Sequence, residues 1–117
     1  MELPNKSRAQ VPLEKVTDYL LSETHAVGKS KARYFRSYGF NHETARNLAQ
    51  GLLEIAQKVQ VNSSEKSPYG KKYIMDGELE TPNGDMIQVR TIWIIENDTE
   101  ISRFVTLIQP SREQDYD

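Results

Sequence analysis

The fold is decided by residues 71–95, which read KKYIMDGELE-TPNGD-MIQVRTIWII. Two runs rich in β-branched and aromatic residues flank a turn containing Asn83 and Gly84, and an Asn-Gly pair in that position is a strong signal for a β-hairpin. We therefore predict strands over 71–80 and 86–95. A short polar strand over 60–65 and a strand over 101–109 complete a predicted antiparallel meander of three to four strands.

The residues before this meander have helical periodicity. Asn41 is placed to cap a long helix, and Gly39 is placed to end a preceding helix over 29–38, with Phe40 folding back onto that helix. A shorter helix is predicted over 12–21, beginning at Pro12. The long helix is indicated by apolar residues at three- and four-residue intervals: Ala45, Leu48, Ala49, Leu52, Ile55, Ala56 and Val59. The predicted class is α+β, with three N-terminal helices followed by the meander.

Length and composition limit the architecture. A chain of 117 residues has the size of one domain, which we place at 1–110, followed by a frayed polar tail over 111–117. The chain has no cysteine, which excludes disulfides, thiol nucleophiles and zinc–thiolate or iron–sulfur sites. The first residues lack the pattern of a signal peptide, and no apolar run approaches the roughly 20 residues of a membrane helix. We therefore expect a cytoplasmic protein without membrane contact.

The turn positions predict a strand register. The expected cross-strand pairs are Ile74 with Trp93, Asp76 with Thr91, Thr91 with Thr106, and Trp93 with Phe104. In that register one sheet face carries a polar row of Asp76, Thr91 and Thr106, and the opposite face carries Arg90. A bulge, for which Gly77 is the natural position, would exchange the faces. Both faces are apolar, and three helices cover only one, so the second face is left for a ligand or a second subunit.

Positive charge is concentrated in one segment. Residues 25–50 contain five Lys or Arg residues against Glu43 alone, a net charge of +4, so the remainder carries −6 of the total of −2. Lys29, Arg33 and Arg36 are spaced to share one face of the predicted helix. Such a stripe can hold phosphates, and a nearby histidine, His25, can transfer a proton near neutral pH. The pattern is equally typical of a solvated helix face.

Three further features are candidates for binding. Arg90 is a cation in the middle of an apolar strand, which indicates either pairing with an acidic neighbour or membership of a site. Lys71 and Tyr73 belong to an aromatic and basic run, Tyr69 to Tyr73, that could stack a base and hold a phosphate, or simply decorate an edge strand. Trp93 is expected in the core rather than at a stacking surface. No phosphate-binding loop, nucleophile elbow or metal-ligand spacing occurs, so we expect neither metal nor cofactor.

Several motifs resemble a bacterial family of unknown function. They lie at 3–6, 18–40, 69–73, 89–94 and 103–106, and the stretch from His25 to Phe40 is the most specific. Family members occur as stand-alone proteins and as C-terminal modules of polymorphic toxins. The family context, together with predicted helices before a four-stranded meander, is similar to the small ribonuclease-toxin fold shared by barnase, EndoU, colicin and RelE-type proteins. In that group a sheet face holds RNA, and the ribose 2′-hydroxyl attacks its own phosphate without a metal.

The resemblance, together with the charge pattern, implies a metal-independent RNA endonuclease or RNA-binding domain. The implied catalytic residues are His25, Lys31, Arg90 and Thr106. The implied nucleic-acid contacts are Lys29, Arg33, Arg36, Lys71 and Tyr73. The alternative function is a non-catalytic interaction module, resembling an antitoxin or immunity protein, that self-associates through its apolar sheet face. The expected partners are accordingly RNA, a second copy of the chain, or a cognate protein.

Overall fold

The computed structural model describes residues 1–17 and 29–108, so the predicted tail lies outside them. Its helices are α1 (Leu13–Lys15), α2 (Lys29–Ser37) and α3 (Ala45–Lys58), with 3-10 turns at Lys6–Arg8 and His42–Thr44. Its strands are β1 (Ser63–Ser67), β2 (Gly70–Glu80), β3 (Met86–Glu96) and β4 (Ser102–Ile108). The four strands form one antiparallel sheet in the order β1-β2-β3-β4. The α+β class is therefore confirmed. Within the described ranges, no helix has the length and apolar character needed to cross a membrane.

The N-terminal part agrees only in part with the prediction of three helices. Of the described helices α3 alone is long, whereas α1 has three residues and is preceded by Pro12 as its N-cap. An extended segment comes before it, because Gln10 N–H donates to Ser102 O at 2.8 Å and Gln10 O accepts from Phe104 N–H at 2.9 Å. This pairing with β4 keeps the chain extended up to Pro12. The continuation of the predicted helix from residue 18 lies outside the described part.

The junction between α2 and α3 has the predicted caps. Gly39 has a φ of +96°, and the amides of Gly39 and Phe40 donate to the carbonyl oxygens of Arg36 and Phe35 at 3.0 and 3.1 Å. The rings of Phe35 and Phe40 pack edge to face with centroids 5.9 Å apart. The Asn41 side chain then accepts hydrogen bonds from the next helical turn. The predicted helix end at Gly39 is confirmed, whereas Asn41 caps the 3-10 turn His42–Thr44 and α3 itself begins after Thr44. Together these features turn the chain sharply and direct α3 across the sheet.

Helix α3 packs closely on β2. Its buried side chains include Leu48, Leu52 and Ile55. A Cβ atom at Gly77 would lie 2.9 Å from Ile55 Cγ1, so the absence of a side chain there allows the helix to approach the strand. Gly77 pairs regularly with Val89, so the bulge for which Gly77 was the natural position does not occur there.

The β2–β3 register differs from the prediction by one residue. Tyr73 faces Trp93 and Asp76 faces Arg90, rather than Ile74 facing Trp93 and Asp76 facing Thr91. The cause is the turn, in which Gly84 N–H donates to Thr81 O at 2.9 Å and Thr81 N–H donates to Asp85 O at 2.8 Å. This makes a three-residue hairpin loop with Gly84 at a φ of +89°, rather than the two-residue Asn-Gly turn assumed in the prediction.

The β3–β4 register changes along its length. Trp93 faces Phe104 as predicted, but Ile92 faces Thr106 and Thr91 faces Leu107. An irregularity between Ile92 and Trp93 leaves one extra residue on β4, and such a bulge shifts every later pair by one position. The predicted pairing of Thr91 with Thr106 is therefore wrong.

These two register shifts change which residues lie on each face of the sheet. The face packed against the helices, called here the inner face, includes Thr91, whose hydroxyl donates to Met75 O at 2.8 Å and accepts from Trp93 Nε1 at 2.9 Å. Trp93 is fully buried, which confirms its predicted core position. The apolar residues of the strands buried in the core are Tyr73, Met75, Leu79, Ile87, Val89, Trp93, Phe104 and Leu107. The predicted polar row is wrong, because Thr91 lies inside while Asp76 and Thr106 lie on the opposite, outer face.

Candidate functional site

An ion pair lies on the outer face of the sheet. Asp76 and Arg90 face each other on β2 and β3, and Arg90 Nε and Nη2 donate to the two carboxylate oxygens of Asp76 at 2.7 and 3.1 Å. The two side chains are 29% and 32% exposed. Of the two alternatives for Arg90, pairing with an acidic neighbour is therefore observed. A two-pronged contact of this kind fixes the plane of the guanidinium group as well as its position.

Thr106 lies on the same face, one strand further on. Ile92 faces Thr106 and Arg90 faces Ile108, so Arg90 and Thr106 are diagonal neighbours, a separation of roughly 7–8 Å in an antiparallel sheet. The predicted register had put these two residues on opposite faces. The bulge in β4 and the altered hairpin bring them together with Asp76. A carboxylate, a guanidinium group and a hydroxyl thus lie within one small area.

The surroundings of this group are apolar and half-buried. Ile74, Ile92 and Ile108 are each partly accessible on the outer face. A second ion pair lies toward the other end of the face, where Arg103 Nη2 donates to Glu96 Oε1 at 3.0 Å. The outer face therefore offers hydrogen-bonding groups held in an apolar setting, a composition typical of binding surfaces.

The basic segment is placed only in part. Lys29, Lys31, Arg33 and Arg36 all belong to α2, which confirms their helical setting. Arg33 is exposed and Arg36 is half-buried. His25, the predicted acid or base, lies outside the described residues, and its catalytic role stays a prediction. In the described part of the chain, no three His, Asp or Glu side chains gather as metal ligands would.

The β1–β2 hairpin corrects one predicted contact. Tyr73 is only 5% exposed and belongs to the core, so its ring cannot stack on a base in the folded protein. Lys71 lies beside it, with Nζ 5.6 Å from the centre of the Tyr73 ring. Tyr69, at the tip of the turn, is 76% exposed and is the aromatic side chain of this segment that a ligand can reach.

Asp76 was missed as a site residue by the sequence reasoning. The register assumed there paired it with Thr91, so the carboxylate and Arg90 were assigned to opposite faces. A type I turn is favoured by proline at its second position, and Pro82 before Asn83-Gly84 was the signal that could have corrected the hairpin. With the longer loop, Asp76 and Arg90 become direct partners.

The fold and this face define an α+β domain with a four-stranded meander covered by helices on one side. The chain belongs to the family described as Domain of unknown function (DUF6883), which matches residues 2–111. Its resemblance to a family of unknown function is thereby confirmed, whereas the likeness to barnase and EndoU stays a prediction. No curated protein matches the chain.

A solved structure has the same fold. It is a chain of a contact-dependent growth inhibition toxin–immunity protein complex from Klebsiella pneumoniae 342. The two chains are 17% identical and superpose with a TM-score of 0.68, over 89% of this chain and 95% of that chain. At this identity the likeness concerns the fold alone.

Proposed function

We propose that this chain is a metal-independent RNA-cleaving domain of the toxin type, with its reacting centre on the outer face of the sheet. The observation that carries the proposal is the grouping of Asp76, Arg90 and Thr106 on that face. The fold shared with a chain of a toxin–immunity complex supports a place in such a system. The concentration of positive charge in residues 25–50 supports a polyanionic substrate.

The reaction needs little beyond positioned groups. The ribose 2′-oxygen forms a bond to the adjacent phosphorus while the bond from phosphorus to the 5′-oxygen breaks. One proton leaves the 2′-oxygen and another is delivered to the departing 5′-oxygen, which yields a 2′,3′-cyclic phosphate and a 5′-hydroxyl. His25 is the acid or base in this scheme. Arg90 stabilises the charge that grows on the phosphoryl oxygens, and Lys31, which belongs to α2 on the other side of the sheet, contacts phosphates further along the RNA.

Asp76 and Thr106 act on the substrate's position. The carboxylate of Asp76 holds the Arg90 guanidinium group in one orientation, so that a phosphate at this face meets a cation whose orientation is already fixed. Preorganisation of this kind avoids reorienting the cation during the reaction. Thr106 supplies a hydroxyl that hydrogen-bonds the ribose or phosphate. Arg33 and Arg36 on α2, with Lys29, bind the flanking phosphates.

The first test replaces the proton-transfer residue. His25→Ala is expected to abolish cleavage of single-stranded RNA in a buffer containing a chelator, because no other imidazole is assigned to the reaction. The matched control is His42→Ala, which removes the other histidine of the chain and is expected to leave cleavage intact. Unchanged cleavage by the His25 variant, with an unaltered melting temperature, would contradict the mechanism.

A second function rests on the apolar part of the same face. Ile74, Ile92 and Ile108 form a half-buried row, which suits a flat protein contact better than a polyanion. In this alternative the chain is an immunity-like module that binds a second copy of itself through the outer face. Sedimentation distinguishes the two functions, since the alternative requires a dimer and needs no cleavage of RNA.

A further inference from the structure

The β1–β2 hairpin brings like charges together. Lys66 and Lys71 are direct cross-strand partners, and Lys72 follows Lys71 on the same strand. Like charges directly opposite each other destabilise an antiparallel pair. Lys71 lies over the Tyr73 ring, but within residues 1–17 and 29–108 no carboxylate forms an ion pair with any of these three lysines. Lys72 faces the oppositely charged Glu65, whereas Lys66 and Lys71 face each other. These two lysines therefore carry positive charge that an external anion can neutralise.

The tip of this hairpin presents an aromatic ring from a fixed backbone. Tyr69 is 76% exposed, and its carbonyl oxygen accepts from the backbone N–H of Asn97 at 3.0 Å. Asn97 Nδ2 also donates to Pro68 O at 2.9 Å, and Tyr69 N–H donates to Ser67 Oγ at 3.3 Å. These contacts tie the turn to the neighbouring β3–β4 turn. Because the backbone is held in this way, only the side-chain torsions of Tyr69 have to be ordered when the ring binds.

We propose that the β1–β2 hairpin is a binding site for single-stranded nucleic acid. The Tyr69 ring stacks on a base, and Lys66 and Lys71 contact the phosphates beside it. Bases stack on aromatic side chains regardless of their identity, and lysines supply a backbone contact that depends on salt. Bound phosphate also relieves the repulsion between the two lysines.

This site is separate from the reacting centre and deepens the proposed function, on which its RNA ligand rests. Asp76 lies five positions beyond Lys71 on β2, a distance of about 17 Å along a strand, and its side chain is on the opposite face of the sheet. A nucleic-acid strand bound at the hairpin therefore reaches the Asp76–Arg90 pair only by passing around the sheet edge at β1, which takes several nucleotides. The hairpin holds the substrate while the outer face acts on it.

Acidic residues of the β3–β4 turn, which is hydrogen-bonded to the hairpin through Asn97, affect the charge at this site. Two of these acids are neutralised, because Glu96 pairs with Arg103 and Glu100 pairs with Arg8. Asp98 lies beside Asn97 and is exposed, and its charge opposes a phosphate at the hairpin. Replacing Asp98 by Asn is accordingly expected to tighten binding, the opposite sign to removal of a lysine.

The test measures the fluorescence anisotropy of a fluorescein-labelled 2′-O-methyl oligouridylate of 12 nucleotides, which has no 2′-hydroxyl and cannot be cleaved. Tyr69→Leu is expected to weaken binding at least about fivefold, since stacking on an aromatic ring is lost, whereas Tyr69→Phe retains the affinity. The double variant Lys66→Gln, Lys71→Gln is expected to lower the slope of log K against log salt by about 1.4, as for two phosphate contacts to a single strand. Lys58→Gln, an exposed lysine at the end of α3, is the matched control.

The outcomes separate this proposal from the enzymatic one. Equal losses for the Lys58 and hairpin variants, or an equal loss for Tyr69→Phe and Tyr69→Leu, would overturn the hairpin site. An absence of binding by the unmodified protein would do the same. Binding that depends on the hairpin, without RNA cleavage, would support the hairpin site and refute the proposed activity. RNA cleavage together with unaltered binding by the hairpin variants would support the activity and refute the hairpin site.

Discussion

The ion pair between Asp76 and Arg90 is, among the described residues, the main polar contact between side chains in the middle of the outer face. Arg90 is half-buried among isoleucines, and both carboxylate oxygens of Asp76 hydrogen-bond to it there and balance its charge. The sequence indicated that Arg90 must either be paired or serve a site. It could not name the partner, because an error of one residue in register moves a side chain to the other face.

Thr91 has the opposite role, as a buried polar group that the core satisfies internally. Its hydroxyl links Met75 O to the indole N–H of Trp93. Thr91→Val keeps the side chain's shape but leaves that N–H without an acceptor in the core. We expect a loss of roughly 1–3 kcal/mol in the free energy of unfolding, measured by urea denaturation.

The control for this substitution is Thr99→Val in the exposed β3–β4 turn. There the hydroxyl is accessible to water, so a change within about 0.5 kcal/mol is expected. Comparable losses at the two positions would show that the buried hydrogen bonds do not matter for stability.

Local signals predicted the elements well where they depended on short-range chemistry. The cap at Asn41 and the left-handed Gly39 are confirmed because each is specified within a few residues. The strands are likewise found close to their predicted positions. The bulge in β4 was not predictable, since it depends on which side chains the two sheet faces can bury, and that is decided by contacts between distant parts of the chain.

Alanine substitutions at two glycines can show how much the packing of the β2–β3 turn against the end of α2 contributes to stability. Gly39 and Gly84 both have positive φ, but a Cβ at Gly39 would lie 2.6 Å from Asn83 Oδ1, whereas one at Gly84 would meet nothing within 4 Å. Gly84→Ala is expected to cost about 1–2 kcal/mol of stability through its backbone alone. Gly39→Ala should cost a further 1–3 kcal/mol, roughly, for the displaced turn. Equal losses in urea denaturation would show that the helix and the turn are not packed together.

Charge and shape are distributed unevenly over the whole molecule. The inner face is covered by helices, and the outer face keeps its ion pairs and half-buried isoleucines. The net charge of −2 conceals the +4 of residues 25–50, as the sequence already indicated. The sequence could not show which charged groups share a face of the sheet, because the strand register depends on the hairpin turn and on the bulge in β4. In the proposed function, the outer face cleaves RNA with Arg90 at the reacting phosphate.

The most direct measurement is an end-group analysis of RNA incubated with the protein in the presence of a chelator. The unmodified protein is expected to leave 2′,3′-cyclic phosphates and 5′-hydroxyls. Arg90→Gln is expected to lower the rate about 100-fold or more, as for the loss of a preorganised charge stabiliser, and Thr106→Val provides a second, milder variant of the same site. Arg103→Gln, which disrupts the other ion pair of this face, should cleave at nearly the original rate. RNA left intact by the unmodified protein, or equal losses for the Arg90 and Arg103 variants, would contradict the account.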